Sequence, residues 1–348
     1  MTSENGSLLK IKNLKKHFPV GGGFLAGLTG SVEYLKAVDG IDIDIEPGTT
    51  YGLVGESGCG KSTTAKMVLK LEEPTEGEIY FEGKNALDTN KEGDRYYKSS
   101  VQAVFQDPWA SLNPRMKVTD IIAEPLIVNT KLSKAEIRTK VGDLLEEVGL
   151  QPYQAGLYPH EFSGGQRQRI GVARSLALNP KLIVLDEPVS ALDVSIRAQI
   201  MNLLMDLQKE HGLTYLLIAH HLATVRYMCD KIGVMYLGHM VEEAATDELF
   251  DNPTHPYTQA LIGAALPYHP DDQKEESILE GEVPSPIAPP SCCSYIPNCP
   301  DIFPECNDNL VALREVKPGH TVGHCAHCVD EYGCYWFPRI NPTIDRNQ

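Results

Sequence analysis

The residues best suited to chemistry form a glycine-rich segment at positions 55–62, which reads Gly-Glu-Ser-Gly-Cys-Gly-Lys-Ser. The spacing fits G-x-x-x-x-G-K-[ST], in which glycines let the backbone wrap phosphate oxygens and the lysine meets their charge. An apolar strand is predicted before it at Thr50 to Val54, and a helix after it at Ser62 to Leu71, so the helix N-terminus adds positive potential. The segment predicts a nucleotide phosphate site, with Lys61 on the β and γ phosphates and Ser62 on Mg²⁺.

Two acidic residues follow a buried strand further along the chain. The apolar run Lys181 to Leu185 predicts a strand covered on both faces, and Asp186 and Glu187 come directly after it. Asp186 is predicted to hold magnesium through water, and Glu187 to orient or deprotonate an attacking water. Phosphoryl transfer needs this kind of positioning and charge stabilisation more than covalent chemistry. The alternative is a strand end with two solvated acids, which the phosphate loop elsewhere in the chain disfavours.

Length and charge narrow the class of protein. The chain has 348 residues, with 47 acidic and 31 basic side chains, and a formal charge of −16. A nucleic-acid binder is disfavoured, because such proteins carry basic stripes that displace counterions from phosphates. The first ten residues lack a signal-peptide pattern, and no apolar run reaches the roughly 18–20 residues that span a bilayer. The expectation is a cytosolic chain that can sit on a membrane partner.

The elements that must position these residues alternate between strands and helices. Strands are predicted at Leu8 to Phe18 and Leu35 to Ile45, on either side of a glycine-rich loop, and at Thr214 to Ala219. A helical block is predicted over Val118 to Leu178, in which Ser133 caps a helix running to Val148. The alternation predicts an α/β core around a largely parallel sheet, with the helical block as an inserted subdomain.

Composition shifts near position 266 predict the domain boundaries. A nucleotide-binding domain is expected at 1–265, with its helical subdomain at about 107–179. A polar and proline-rich linker is expected at 266–290, and a small cysteine-rich extension at 291–348.

Motifs in the same order along the chain resemble those of the ATP-binding-cassette (ABC) ATPases. The segment Phe162 to Arg169, which reads Phe-Ser-Gly-Gly-Gln-Arg-Gln-Arg, looks like the family signature and precedes the acidic strand. Gln106 resembles the Q-loop glutamine, Ser190 to Asp193 the D-loop, and His220 the switch histidine. With the phosphate loop and the acidic strand, the resemblance covers roughly Leu8 to Leu261. It implies a P-loop ABC ATPase fold, with a RecA-like core, an antiparallel β subdomain and a helical subdomain.

The resemblance also implies roles for particular residues. Glu187, His220 and Gln106 would serve hydrolysis, and Ser62, Gln106 and Asp186 would hold Mg²⁺. The signature would close over ATP on the phosphate loop of a second subunit, in a head-to-tail dimer. An aromatic residue near the first strands would stack on adenine, with Phe18 preferred and Tyr34 as the alternative. Residues implied to contact ATP are Gly55, Glu56, Ser57, Gly58, Cys59, Gly60, Lys61, Ser62, Thr63, Phe18, Asp186, Ser163, Gly164, Gly165, Gln166 and Asp193.

Two further segments resemble the oligopeptide and dipeptide importers within that family, namely Val104 to Met116 and Thr254 to Leu261. This resemblance implies a peripheral ATPase on the cytoplasmic face of the inner membrane, with two transmembrane permease subunits and an extracytoplasmic solute-binding protein. The second ATPase would be a different chain, and Trp109 to Met116 would dock on a permease. Nickel or glycosides are alternative cargoes. A soluble ABC ATPase acting on nucleic acid or ribosomes, and a small-molecule kinase, are the alternatives from other classes.

Seven of the nine cysteines crowd the C-terminal tail. In a reducing cytosol such a cluster indicates metal binding rather than disulfides. Some peptide-importer ATPases hold an iron–sulfur cluster in a similar extension, and thiolates suit [4Fe–4S]. The expected ligands are Cys293, Cys299, Cys306 and Cys325, with Cys292, Cys328 and Cys334 as spare candidates. Zinc is the alternative, with His320, His324 and His327 nearby, and free thiols are the third possibility.

Overall fold

Two β-sheets organise the part of the chain that the structure describes. The computed structural model describes residues 6–20, 33–265, 285–287, 294–295, 298–299 and 312–324. The strands are β1 (Leu9–Val20), β2 (Glu33–Ile45), β3 (Thr50–Val54), β4 (Glu76–Phe81), β5 (Lys84–Asn85), β6 (Val101–Val104), β7 (Leu182–Asp186), β8 (Thr214–Ile218), β9 (Lys231–Tyr236), β10 (His239–Ala245), β11 (Ala312–Lys317) and β12 (His320–His324).

Helices cover both sheets and make up the inserted block. They are α1 (Lys61–Val68), α2 (Lys91–Ser100), α3 (Pro108–Ser111), α4 (Val118–Asn129), α5 (Lys134–Glu147), α6 (Gly164–Leu176), α7 (Val194–His211), α8 (Leu222–Met228), α9 (Thr246–Asp251) and α10 (Pro256–Ala265), with 3₁₀ turns at Pro152–Gly156 and Pro159–Glu161. Among these described helices, none combines the length and the apolar character needed to cross a bilayer.

The larger sheet has the order β11-β12-β10-β9-β3-β8-β7-β6. Its five strands from β9 to β6 are mutually parallel, which confirms the predicted α/β core. Every residue of β3 and β8 is buried, because helices or the second sheet cover both faces. The carboxyl ends of β3, β6, β7 and β8 therefore meet at one edge of the sheet, where ligands of open α/β sheets bind.

The smaller sheet is antiparallel, with the order β2-β1-β4-β5. Its buried face, which includes Leu9, Ile11 and Ile43, shares one apolar core with Leu53 of β3 and Met67 of α1. This sheet and the main sheet thus enclose α1 between them. The arrangement fixes the helix that follows the phosphate loop.

The helical block forms as the sequence predicts, whereas α1, which lies outside that block, is shorter than predicted. Ser133 and Glu136 make a reciprocal capping box at the start of α5, which confirms the predicted cap. Helix α1 ends at Val68 rather than at the predicted Leu71, because Lys70 adopts a left-handed φ of 55°. The amide of Leu71 then bonds back to the Lys66 carbonyl and closes the helix.

The C-terminal hairpin β11–β12 extends the main sheet beside β10. Buried His320 of β12 places Nε2 2.8 Å from an Oε1 of Glu242 on β10. Its Nδ1 lies 3.2 Å from Glu248 of α9, which also pairs with Lys317 at 2.7 Å. An ionic cluster thus ties the hairpin to the body.

This cluster predicts a pH-dependent stability. The hydrogen bond to Glu242 raises the pKa of His320 above its usual value of about 6.5. The bond from Lys317 lowers the pKa of Glu248 to about 2, so its carboxylate stays ionised. A raised histidine pKa contributes stability that is complete below about pH 6.5 and is lost as pH rises through the folded-state value. We expect the melting temperature of wild type to exceed that of His320→Gln by more at pH 6 than at pH 8.5.

The control is His211→Gln, since His211 forms a solvent-exposed pair with Glu147 at 3.4 Å. The His211→Gln variant should have nearly the melting temperature of wild type at either pH. If the difference in melting temperature between wild type and His320→Gln were the same at both pH values, the charged state assigned to His320 would be contradicted.

Candidate active site

The phosphate loop connects β3 to α1 and requires glycine at two crowded positions. Gly55 and Gly60 have φ values of 147° and 113°. A Cβ on Gly55 would lie 2.1 Å from the Met235 carbonyl oxygen, and one on Gly60 would lie 2.3 Å from that of Ala37. The loop is therefore seated between β9 and β2, and only residues without a side chain fit there.

Lys61 lies inside the loop rather than in solvent, with 4% of its surface exposed. Its Nζ donates to the carbonyl oxygens of Gly55 and Glu56, at 2.8 and 2.7 Å. Ser62 is exposed and Thr63 half-buried in the first turn of α1, whose leading amides have no acceptor within the helix. The loop therefore presents an ammonium group and helix-end amides, the groups that a polyphosphate requires.

Cys59 is buried within the same loop, and burial raises the pKa of its thiol. Lys61 Nζ lies 3.5 Å from its Sγ and partly opposes that rise. The side chain is thus a neutral thiol that fills space, so the structure assigns it a packing role in the loop.

The acidic end of β7 adjoins the loop and carries a strained residue. Glu187 has a φ of 48°, which non-glycine residues rarely adopt, and its amide donates to the Ile218 carbonyl at 2.9 Å. Nε2 of Gln106 donates to Glu187 Oε2 at 2.7 Å, and Nε2 of His220 lies 2.5 Å from Oε1. Both carboxylate oxygens are therefore held by side chains from neighbouring strand ends.

Asp186 ends β7 in a half-buried position. Burial is the main cause that raises the pKa of its carboxyl, and the charge of Glu187 adds to the rise. Lys61, Lys66 and His220 act in the opposite direction. A half-buried carboxylate within the electrostatic influence of Lys61 at a phosphate site has the character of an Mg²⁺ ligand. Ser62 and Gln106 would supply further oxygens, so the residues present fit this ion.

The signature residues occupy a helix start on the inserted block. Ser163 caps α6 and forms a capping box with Gln166, while Gly164 and Gly165 pack towards Leu192 and Ile196. In the described part of the chain, no hydrogen bond or ion pair joins these residues to the phosphate loop. Asp193 is exposed at the start of α7. The structure thus brings Gln106, Asp186, Glu187 and His220 to the phosphate loop, and leaves the signature facing elsewhere.

The two candidates for adenine stacking lie on neighbouring strands of the antiparallel sheet. Phe18 pairs with Leu35 and is half-buried, with Lys16 Nζ 4.9 Å from its ring centroid. Tyr34 pairs with Pro19 and is 49% exposed. Both belong to the hairpin whose β2 strand touches the loop at Ala37, and the choice between them stays a prediction.

Most of the predicted cysteine ligands lie outside the described residues, namely Cys293, Cys306 and Cys325, as do the spare candidates. Cys299 is described and packs against the main core. No group of three or more histidine, cysteine or acidic side chains suited to a metal occurs among the described residues. Both ring nitrogens of His320, a candidate for the zinc alternative, face the carboxylates of Glu242 and Glu248.

Three contacts at the site have no local sequence signal. The left-handed backbone of Glu187 depends on the neighbouring strand β8. The hydroxyl of Tyr257 accepts the Glu56 amide at 2.8 Å, across 201 residues of sequence. The ring of Trp109 lies 3.4 Å from the guanidinium carbon of Arg167 on α6. The sequence motifs include all of these residues, but they do not predict that the residues meet in these pairs.

The fold and the site define an α/β nucleotide-binding protein whose phosphate loop faces an acidic strand end. The family model described as ABC transporter matches residues 38–190. A second, described as the C-terminal region of oligopeptide/dipeptide transporters, matches residues 241–306.

Relatives extend over nearly the whole chain. The dipeptide transport ATP-binding protein DppF of Haemophilus influenzae is 47% identical over 324 residues, covering 93% of this chain and 98% of the relative. The oligopeptide transport ATP-binding protein OppF of Escherichia coli is 50% identical over 302 residues, covering 86% and 90%. The chain therefore belongs to the ATP-binding proteins of ABC transporters.

Solved structures agree with that assignment. The cbiO1 protein of Clostridium perfringens, part of an ABC transporter complex, superimposes with a TM-score of 0.61 at 30% identity, covering 71% of this chain and 92% of that one. A dimeric ATP-binding cassette in a post-hydrolysis state, bound to ADP and Pi, gives a TM-score of 0.60 at 29% identity, with coverages of 68% and 98%.

Proposed function

We propose that this chain is the ATP-hydrolysing subunit of an ABC importer for dipeptides or oligopeptides. The cargo is inferred from the relatives, which are named as dipeptide and oligopeptide transport proteins. The hydrolytic activity rests on one observation, namely the Glu187 carboxylate held by Gln106 and His220 beside the phosphate loop. These names favour peptides over the alternative cargoes, nickel and glycosides.

The chemistry follows from the placement of each group. Lys61 would exchange a loop carbonyl for phosphate oxygens, and the helix-end amides would bind the remaining charge. Glu187 would take a proton from the attacking water, with Gln106 and His220 fixing its carboxylate. Mg²⁺, held by Ser62, Gln106 and Asp186, would neutralise charge on the β and γ phosphates.

A second ABC ATPase subunit completes the proposed site. The signature residues do not reach the phosphate loop of their own chain, so they are available to another. Beside them Val194 is 79% exposed at the start of α7, next to the exposed Asp193. We infer a head-to-tail dimer with a different ATPase chain, in which this surface is covered.

The segment Trp109 to Met116 is the proposed permease contact. Trp109 is 52% exposed, yet its ring stacks on Arg167, whose Nε donates to the Pro159 carbonyl at 2.8 Å. Arg167 lies four residues after Ser163 on the signature helix. Force on the Trp109 segment would therefore reach the signature directly. Two permease subunits, a solute-binding protein outside the membrane, and a peripheral position on its cytoplasmic face complete the assembly.

The domain boundaries at 265 and 290 stay a proposal, with the qualification that 312–324 adds two strands to the main sheet. We likewise propose that Cys293, Cys299, Cys306 and Cys325 bind a [4Fe–4S] cluster, or zinc in the alternative. The proposal is supported by the crowding of thiols in the tail alone. Iron and zinc analysis of the purified full chain, with its visible absorption spectrum, distinguishes the two metals.

Trp109→Ala tests the coupling role. In vesicles that contain the permease and peptide-loaded binding protein, we expect peptide-stimulated ATP hydrolysis to fall about tenfold, as truncation of a central interface tryptophan does. The affinity of the isolated chain for ATP should not change, because Trp109 does not touch the phosphate loop.

Tyr153→Ala is the matched control, since Tyr153 is an exposed aromatic residue elsewhere on the helical block. It should leave the stimulated rate unchanged. If Trp109→Ala kept the stimulation and Tyr153→Ala lost it, the docking surface would lie near Tyr153 and not at Trp109 to Met116. Stimulation by a non-peptide solute instead of a peptide would overturn the proposed cargo.

A further inference from the structure

Tyr257 reaches the phosphate loop from the start of α10, far from the nucleotide motifs in sequence. Its hydroxyl accepts the Glu56 amide at 2.8 Å, and the residue is fully buried. The carbonyl of the same Glu56 accepts Lys61 Nζ at 2.7 Å. Tyr257 therefore holds one of the two loop residues whose carbonyls position the phosphate-binding lysine.

Aromatic side chains hold Tyr257 from the side of the C-terminal tail. Its ring centroid lies 4.7 Å from that of Tyr236 and 5.6 Å from that of Tyr295, which is itself buried. Tyr295 also makes edge contact with Tyr236 at 5.3 Å. Tyr295 belongs to the cysteine-bearing tail, so a piece of that tail is part of the packing behind the phosphate loop.

The C-terminal hairpin holds the same segment from the other side. Glu242 accepts the amides of Thr254 and His255 at 2.7 and 2.9 Å, directly before α10. His320 of the hairpin supplies the next bond to Glu242. Tyr295 of the tail and the hairpin β11–β12 therefore converge on the segment at 254–257, which carries Tyr257 at the start of α10. Burial also raises the pKa of Tyr257, which keeps its hydroxyl protonated.

We propose that Tyr257 is a positioning residue of the phosphate loop, through which the C-terminal region sets the affinity of this chain for ATP. The inference rests on the proposed function, because it presumes that the loop binds ATP. Loss of the hydroxyl removes the acceptor of the half-buried Glu56 amide, which favours a different peptide orientation at the loop. The loop then has to reorder before Lys61 and the helix amides can meet phosphate.

Tyr257→Phe in the full chain is the direct test, with ATP affinity measured by displacement of a fluorescent nucleotide. We expect the Kd for ATP to rise about tenfold. In the assembled transporter the KM for ATP should rise while kcat changes little, because the groups at Glu187 are untouched. Tyr295→Ala should raise the Kd in the same direction, and Tyr295→Phe, which keeps the ring, should restore it. The double variant Tyr257→Phe/Tyr295→Ala should be weaker than wild type by less than the product of the two single effects.

Tyr215→Phe is the control for losing one buried tyrosine hydroxyl, which there donates to the Leu204 carbonyl at 2.8 Å. Its Kd for ATP should equal that of wild type, and melting temperatures of all variants are recorded alongside. Wild-type affinity in Tyr257→Phe overturns the positioning role, as does equal weakening in Tyr215→Phe. Unchanged affinity in Tyr295→Ala overturns the part played by the tail. Failure of the wild-type chain itself to bind ATP refutes the proposed function instead.

Discussion

Glu187→Gln should reduce ATP turnover by about 10²- to 10⁴-fold, the usual contribution of a positioned general base. The amide has the size and shape of the carboxylate and can still meet Gln106 and His220, so the fold and the loop should be preserved. It cannot take a proton from water. ATP should therefore bind with wild-type affinity and remain uncleaved, and in the proposed dimer the signature of the second subunit should stay closed over it.

Phosphate release by the assembled transporter and the amount of ATP retained after gel filtration measure the two effects separately. Glu147→Gln provides the matched control, because Glu147 also pairs with a histidine, His211, but on the surface of the helical block. That variant should turn over ATP at the wild-type rate. Turnover by Glu187→Gln within about twofold of wild type would show that another group activates the water.

The sequence allowed prediction of those parts of the site that are encoded locally. A phosphate loop is a turn between a strand and a helix that are contiguous with it in sequence. The motif and the two elements that position it can therefore be predicted from one short segment. The acidic end of β7 is also encoded locally. The apolar residues of a buried strand are followed at once by carboxylates, which marks the point where the strand reaches solvent or a ligand. Parallel strands then bring Gln106 and His220 to the same edge, because each lies two residues beyond the end of a strand, Gln106 after β6 and His220 after β8.

What the sequence did not predict depends on contacts between distant segments. The left-handed conformation of Glu187 exists because β8 accepts its amide at Ile218. The hydrogen bond between the Glu56 amide and the Tyr257 hydroxyl could not be predicted for a related reason. The segment Thr254 to Leu261 resembles the peptide importers, but nothing local indicates that the tyrosine oxygen in it meets an amide 201 residues away. Likewise, the hairpin β11–β12 lies after a stretch without strand or helix signals, and its sheet pairing with β10 is non-local.

The separation of the signature from the phosphate loop links the fold to its proposed mode of action. Within one chain, Ser163 and its neighbours lie on the inserted block, whereas Lys61 lies between the two sheets. In the proposed dimer, a site divided in this way would be complete only when two subunits meet, so ATP would serve as the contact that joins them. Hydrolysis would remove that contact and so turn a binding equilibrium into a directional cycle.

Lys61→Ala should abolish the first step of this cycle, with ATP affinity falling about 100-fold or more. The change removes the only ammonium group that lies inside the described phosphate loop, and it leaves the buried carbonyls of Gly55 and Glu56 without their donor. Lys70→Ala is the matched control, because Lys70 is also largely enclosed but pairs with Asp94 beyond the far end of α1. Equilibrium binding of a fluorescent ATP analogue to each full-length variant measures the effect. Glu187→Gln should retain ATP and Lys61→Ala should not, so the two variants separate ATP binding from ATP hydrolysis. Near-wild-type ATP binding by Lys61→Ala would contradict the proposed role of the phosphate loop.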